Sequence, residues 1–107
     1  MDKDEIREIV RETIRELQQI GILKSQTEFA FAEATAILNA YYADGETDPV
    51  ITKALKDIES DTYYKTIPLF FDYGYTLEQI AEVFDVDVTT ISRNKKRLCL
   101  AIYNSIQ

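Results

Sequence analysis

Residues 76–107 constrain the fold more than any other part of the chain, because two amphipathic helical patterns are separated there by only three residues. Thr76 is a favourable helix N-cap, and Gln79 stands where a capping box needs its second side chain. The apolar residues that follow recur at helical spacing and share one face: Leu77, Ile80, Ala81 and Phe84. This stretch therefore predicts a short helix that begins after Thr76 and buries one face.

The connection and a second helix complete the pattern. Asp85 stands where the backbone of such a turn usually needs a positive φ, which aspartate tolerates better than most residues. Asp87 is placed to cap a second helix over residues 88–106. Val86 and Ile91 are then placed to fill the space between the two helices. The spacing predicts a helix-turn-helix, whose second helix lies in the DNA major groove.

These residues carry a resemblance to known families. The matches to the helix-turn-helix of many repressors and of region 4 of bacterial sigma factors are Ile80, Ala81, Val86, Thr90, Ile91, Ser92 and Arg93. Over residues 63–74, 77–81 and 91–98 the chain is similar to the ArpU/RinA-type phage transcriptional regulators. The resemblance implies a sigma-70 region 4-like domain, a phage or prophage origin, activation of late or packaging genes, and contact with RNA polymerase. The chain departs from the pattern at Asp85, where glycine is usual, and at Asn94, where an apolar residue is usual.

The net charge of −7 is distributed unevenly along the chain. Residues 1–75 carry 8 Lys/Arg and 15 Asp/Glu, whereas residues 76–107 carry four of each. Within residues 88–107 there are four cations and no acid. Because local charge governs phosphate binding, the predicted second helix is suited to DNA. The acidic remainder predicts weak and strongly salt-dependent binding by a single copy.

We assign DNA contacts by position on the second helix. The residues that we expect at base edges are Val88, Thr89 and Arg93, with Arg93 suited to a bidentate contact with guanine. The residues that we expect at phosphates are Thr76, Thr90, Ser92, Lys96 and Arg97. Asn94 is within reach of either a base or a phosphate, and Lys95 is expected to lie over the edge of the core with its amine turned outward. The alternative is that these cations form only a solvated helix face.

The composition favours an all-α protein without catalytic chemistry. The chain has three glycines, two prolines and many straight-chain helix formers. It has no histidine, its one cysteine (Cys99) has no histidine partner, and no metal-ligand or phosphate-loop spacing occurs. We therefore predict neither an enzyme nor a cofactor or metal site. The single cysteine, the charged first residues and the lack of a long apolar run predict a cytoplasmic protein without signal peptide or membrane span.

The N-terminal residues 4–20 form a strong amphipathic pattern. One face carries the stripe Ile6, Ile9, Val10, Ile14, Leu17 and Ile20, and Gly21 is expected to end the helix. The stripe suits either a homodimer contact through residues 6–20 or packing on the core of the same chain. The largely apolar far end of the last helix is a second candidate for a dimer contact.

Three further helices are predicted between these ends. The first begins near Ser25 or Thr27, runs to about Ala43 and is apolar over much of its surface, as expected of a core helix. The second begins at Pro49, and the third spans residues 61–73 with a kink or break at Pro68. The fold class is therefore all-α with five to six helices. Residues 1–47 are predicted as a helical segment for packing or dimerisation, and residues 48–107 as the DNA-binding domain.

Three functions fit these patterns. The first is a sequence-specific regulator of transcription that binds double-stranded DNA. The second is a DNA-packaging component similar to a small terminase subunit. The third is a helical protein-interaction module that does not bind DNA.

Overall fold

The computed structural model describes residues 3–19 and 25–107. These residues contain no strand and form six helices: α1 (Lys3–Gln19), α2 (Gln26–Ala43), α3 (Pro49–Asp57), α4 (Thr66–Phe71), α5 (Leu77–Phe84) and α6 (Val88–Ile106). The prediction of an all-α fold with five to six helices is confirmed. No helix in the described ranges is long and apolar enough to cross a membrane.

The main core lies where α6 packs on α2, α3 and α4. Its buried side chains are Ala34, Leu38, Tyr41, Ile51, Ala54, Leu55, Ile67, Leu98, Cys99 and Ile102. Helix α2 supplies Ala34, Leu38 and Tyr41 to this core. A smaller cluster of Ile80, Ala81 and Ile91 joins α5 to the first half of α6.

Local capping sets the beginnings of α2 and α3 as the sequence predicts. The hydroxyl of Ser25 accepts a hydrogen bond from the Glu28 amide at 3.1 Å. Asp48 accepts one from the amide of Val50 at 2.9 Å, with Pro49 in the first turn. The side chain of Val50 is 55% exposed, so the buried stripe of α3 begins with the next residue.

One face of α2 is more exposed than the prediction of a core helix suggests. Phe29 is 58% exposed, and three alanines on the same side are exposed as well: Ala32, Ala36 and Ala40. Only the opposite side of α2 packs into the main core.

The region before α4 differs from the prediction of one helix over residues 61–73. Residues 61–65 form turns, and α4 begins only at Thr66. Backbone amides in this stretch donate hydrogen bonds to carbonyls three residues earlier, which is the pattern of tight turns. In addition, the carboxylate of Asp61 accepts a hydrogen bond from the amide of Tyr63 at 2.9 Å. Pro68 therefore stands in the first turn of a short helix, where its missing N–H leaves no hydrogen bond unmade.

In α1, the predicted helix is confirmed over Lys3–Gln19. Ile6, Ile9 and Val10 are 47%, 47% and 49% exposed, and no described side chain of α1 is buried. Ile20 and Gly21, and the side chains of Ile14 and Leu17, lie outside the described residues. Packing of the stripe on the core of the same chain is thus not seen among the side chains described.

Thr66 is a fully buried residue whose hydroxyl oxygen has no hydrogen-bond partner in the part of the chain that the structure describes. A buried unsatisfied hydroxyl costs about 1–3 kcal/mol, and valine has nearly the same shape without the polar atom. We therefore expect Thr66→Val to raise the free energy of unfolding by about 1 kcal/mol in urea denaturation. Thr66→Ser, which keeps the hydroxyl and loses the methyl group, should lower it. A less stable valine variant would contradict the assignment of an unsatisfied hydroxyl.

Candidate nucleic-acid interface

The first helix of the candidate site begins with the predicted capping box. Gly74, at a φ of +72°, separates it from α4. The Thr76 hydroxyl accepts a hydrogen bond from the Gln79 amide at 3.1 Å, and the Gln79 side chain accepts one from the Thr76 amide at 2.9 Å. These two reciprocal bonds fix the start of α5 and leave Thr76 exposed to solvent.

The connection from α5 to α6 turns at Asp85, which adopts the left-handed conformation with a φ of 56°, as the sequence predicts. The amide of Val86 then donates to the carbonyl of Ala81 at 3.0 Å. Asp87 caps α6 by accepting from the Thr90 amide at 2.8 Å and from the Thr90 hydroxyl at 3.0 Å. These hydrogen bonds hold the pKa of Asp87 below its usual value, so the cap is ionised at neutral pH.

The first half of α6 is seated on α5 by apolar packing. Ile80 and Ile91 are fully buried, and Ala81 is nearly so. The half-buried side chains that surround them are Tyr63, Leu69, Phe70, Leu77, Phe84 and Val86. The predicted position of Val86 and Ile91 between the two helices is confirmed.

The candidate DNA-contact residues fall into two groups by exposure. The exposed side chains are Thr76, Val88, Thr89, Ser92, Arg93 and Arg97, and the half-buried ones are Thr90, Asn94 and Lys96. Because Ile91 faces α5, its exposed neighbours Thr89, Ser92 and Arg93 form an outward strip on the first turns of α6.

Arg97 is held by an acid that lies far away in the sequence. Its guanidinium makes a bidentate ion pair with Asp61, with Nη1–Oδ2 at 2.9 Å and Nη2–Oδ1 at 3.0 Å. The hydrogen bonds from Arg97 and from the Tyr63 amide lower the pKa of Asp61. This pair therefore stabilises the fold above the ordinary pKa of aspartate, and the contribution is lost as the pH falls through the lowered folded value.

Asn94 is engaged by the same network. Its Nδ2 donates to the carbonyl of Thr90 at 2.8 Å, and its Oδ1 accepts from Nε and Nη2 of Arg97 at 3.1 and 3.0 Å. A polar residue at this usually apolar position is thus accommodated by hydrogen bonds along α6. Its amide group faces its own helix and Arg97, which makes it less available to a base or a phosphate.

Lys95 lies over the edge of the core, as the sequence predicts, but its amine stays against aromatic rings. The Nζ atom lies 3.9 Å from the ring centroid of Phe70, 5.2 Å from that of Phe31 and 5.6 Å from that of Phe71. Such placement is a cation–π interaction. Burial lowers the pKa of Lys95.

The Nζ atom of Lys96 lies 5.9 Å from the centroid of the Phe31 ring. Lys95 and Arg97 therefore have close partners within the chain, Lys96 has this longer contact with Phe31, and neither Arg93 nor Lys96 makes an ion pair among the described residues. The available positive surface is smaller than the sequence count suggests.

Cys99 lies in the middle of α6 and is completely buried in the main core. Burial raises the pKa of its thiol to about 11. At neutral pH the side chain is a protonated, packed thiol, and the reactive thiolate is absent.

No protein-family model matches the chain, and comparisons with curated proteins and with solved structures find no significant match. The resemblance to ArpU/RinA-type regulators therefore rests on the sequence motifs alone and stays a prediction.

Proposed function

We propose that this protein is a sequence-specific regulator of transcription that binds double-stranded DNA through a helix-turn-helix formed by α5 and α6. The observation that carries the proposal is the outward strip on the first turns of α6. Its residues are exposed while Ile91, between them, is fully buried against α5. A helix anchored on one side and presenting short polar and cationic side chains on the other is what entry into a major groove requires.

The base contacts are assigned to the exposed leading residues. Val88 is 39% exposed, and with Thr89 it offers methyl groups to thymine. Arg93, one turn later, has no ion pair among the described residues and is suited to the O6 and N7 atoms of guanine.

The phosphate contacts are assigned to Thr76, Ser92 and Lys96. Thr76 lies at the beginning of α5, where the helix dipole favours an anion. The Thr90 hydroxyl donates to Asp87 and Arg97 is paired with Asp61, so either group must leave its present partner to meet a phosphate. With Lys96 as the one cation assigned to a phosphate, a single copy should show a slope of log K against log salt of about −1.

Selection of bound sequences from a random duplex pool at low salt tests the proposal. We expect the wild-type protein to recover a motif that the Arg93→Ala variant does not recover. A palindromic motif would indicate a symmetric dimer, and a single half-site would indicate a monomeric reader. No enrichment by the wild-type protein would overturn the proposal.

Asp61 is expected to restrain DNA binding by holding Arg97. The Arg97 side chain is 52% exposed, so a phosphate can approach the ion pair from solvent. Asp61→Asn removes the competing charge, and we expect tighter binding to every duplex, by about threefold to tenfold, with a salt slope steeper by about one. Titration of labelled duplexes of several sequences over a salt series measures both quantities.

Exposed Glu59, two residues from Asp61, provides the matched control, because Glu59→Gln changes the net charge equally without touching Arg97. A gain that is equal in both variants would reflect net charge alone. Adding Arg97→Ala to Asp61→Asn should abolish the gain if Arg97 is the group that is released.

A protein-interaction module is the second candidate function. It is favoured by the engagement of Lys95 and Arg97 inside a chain whose net charge is already −7. Wild-type protein that shows no duplex binding even at low salt would support this candidate. RNA polymerase, the partner that the resemblance implies, belongs to either function and stays a prediction.

A further inference from the structure

No described part of the chain packs on the apolar stripe of α1. Ile6, Ile9 and Val10 are each about half exposed, and no described side chain of the helix is buried. Most of the stability of an amphipathic helix such as this one, of 17 residues, comes from packing of its apolar face. We therefore expect another apolar surface to pack on the stripe.

The charges beside the stripe are separated by sign. On a helical wheel, Lys3 and Arg7 lie along one flank, whereas Glu5 and Glu12 lie along the other. Two such stripes are complementary in charge when the basic flank of each helix lies against the acidic flank of the other.

We infer that α1 is a homodimerisation helix that pairs in parallel with α1 of a second copy. In a parallel pair with a two-fold axis along the helices, the basic flank of each copy faces the acidic flank of the other on both sides. An antiparallel two-fold pair would instead oppose basic to basic and acidic to acidic. The distribution of charge thus selects the parallel arrangement.

The exposed apolar face of α2 is the competing partner for α1. That face includes Phe29 and is flanked by Glu28 on one side and Glu33 on the other, both exposed. The acidic flank of α1 would meet a glutamate there whichever way the helix ran. Charge therefore favours α1 of a second copy over α2.

A parallel dimer places both α2–α6 bodies at the same end of the paired helices. The inference concerns association of the chain and does not depend on DNA binding.

The first test compares the stripe with the outer face of α1. Ile6→Ala combined with Val10→Ala removes apolar surface, and Glu8→Ala combined with Arg15→Ala is the matched control on the opposite face. In sedimentation equilibrium of the full chain over a concentration series, we expect the wild-type protein and the control to dimerise and the stripe variant to stay monomeric. Because these side chains do not pack in the described core, circular dichroism should show that the body keeps its fold. A monomeric wild-type protein, or a dimer that survives in the stripe variant, would overturn the inference.

The second test addresses the orientation of the two helices. Ile6→Cys places a thiol on the stripe near the beginning of α1, and the native Cys99 is fully buried. A parallel pair brings the two introduced thiols together, so oxidation should give disulfide-linked dimers. A dimer that fails to cross-link would overturn the parallel arrangement.

The third test addresses the flanking charges. Arg7→Glu places a carboxylate beside Lys3 on the basic flank, opposite the acidic flank of the other copy, and at low salt we expect about a tenfold weaker dimer. Arg15→Glu makes the same change of net charge on the outer face and should have little effect. Equal weakening in the two variants would contradict the assignment of the flanks.

Discussion

Replacement of Ile91 by alanine is expected to lower the free energy of unfolding by about 2–5 kcal/mol. Ile91 is fully buried in a cluster with only two other buried residues, Ile80 and Ala81. The apolar side chains around it are already packed against one another, so a cavity left by the shorter side chain is filled only in part. Urea denaturation followed by circular dichroism should show a lower midpoint with an unchanged slope. The variant should also lose DNA binding, because the first half of α6 is held in place by this contact.

A graded series separates packing from general disturbance of the helices. Ile91→Val removes a single methyl group and should cost about 0.5–1.5 kcal/mol. Val83→Ala on α5 removes apolar atoms from a side chain that is 58% exposed and should change stability by no more than about 0.5 kcal/mol. If Ile91→Ala cost no more than Val83→Ala, the buried cluster would not be what seats α6 on α5.

The features that could be predicted from the sequence are those set within one helical turn. The capping box at Thr76, the cap at Asp87 and the left-handed turn at Asp85 each depend on neighbours no more than three or four residues away. Apolar periodicity likewise places Ile91 correctly in the interior. The ends and the buried face of α5 and α6 are therefore set by local chemistry that can be read from the sequence.

The features that could not be predicted depend on residues distant in the chain. The ion pair of Arg97 with Asp61 joins positions 36 residues apart, and nothing in either local pattern indicates the other. The rings around Lys95 come from α2 and α4. These long-range contacts reduce the cations available to DNA, whereas the sequence count treats all four as equivalent. Asn94, by contrast, is accommodated by local hydrogen bonds with Thr90 and Arg97 along α6.

Replacement of Arg93 by alanine is expected to weaken binding to the preferred duplex by about 1–3 kcal/mol and to relax the preference for one base pair. The side chain is exposed on the outward strip and has no ion pair among the described residues, so its removal should leave the fold intact. Titration of a set of duplexes with every single substitution in the selected motif measures the effect. Arg15→Ala, which removes the same charge from α1, should leave the base preference unchanged.

Lys96 provides the contrast that separates reading of bases from attraction to phosphates. Lys96→Ala should weaken binding to all sequences alike and reduce the salt slope by about one, because a phosphate contact carries no sequence information. Arg93→Ala should instead lower the affinity for the selected motif more than the affinity for unrelated sequences. If both variants weakened every duplex equally, Arg93 would be a phosphate ligand, and base reading would have to come from Val88 and Thr89 alone. If neither variant changed binding, the first turns of α6 would not be the contact surface, and another surface of the chain would have to bind the DNA.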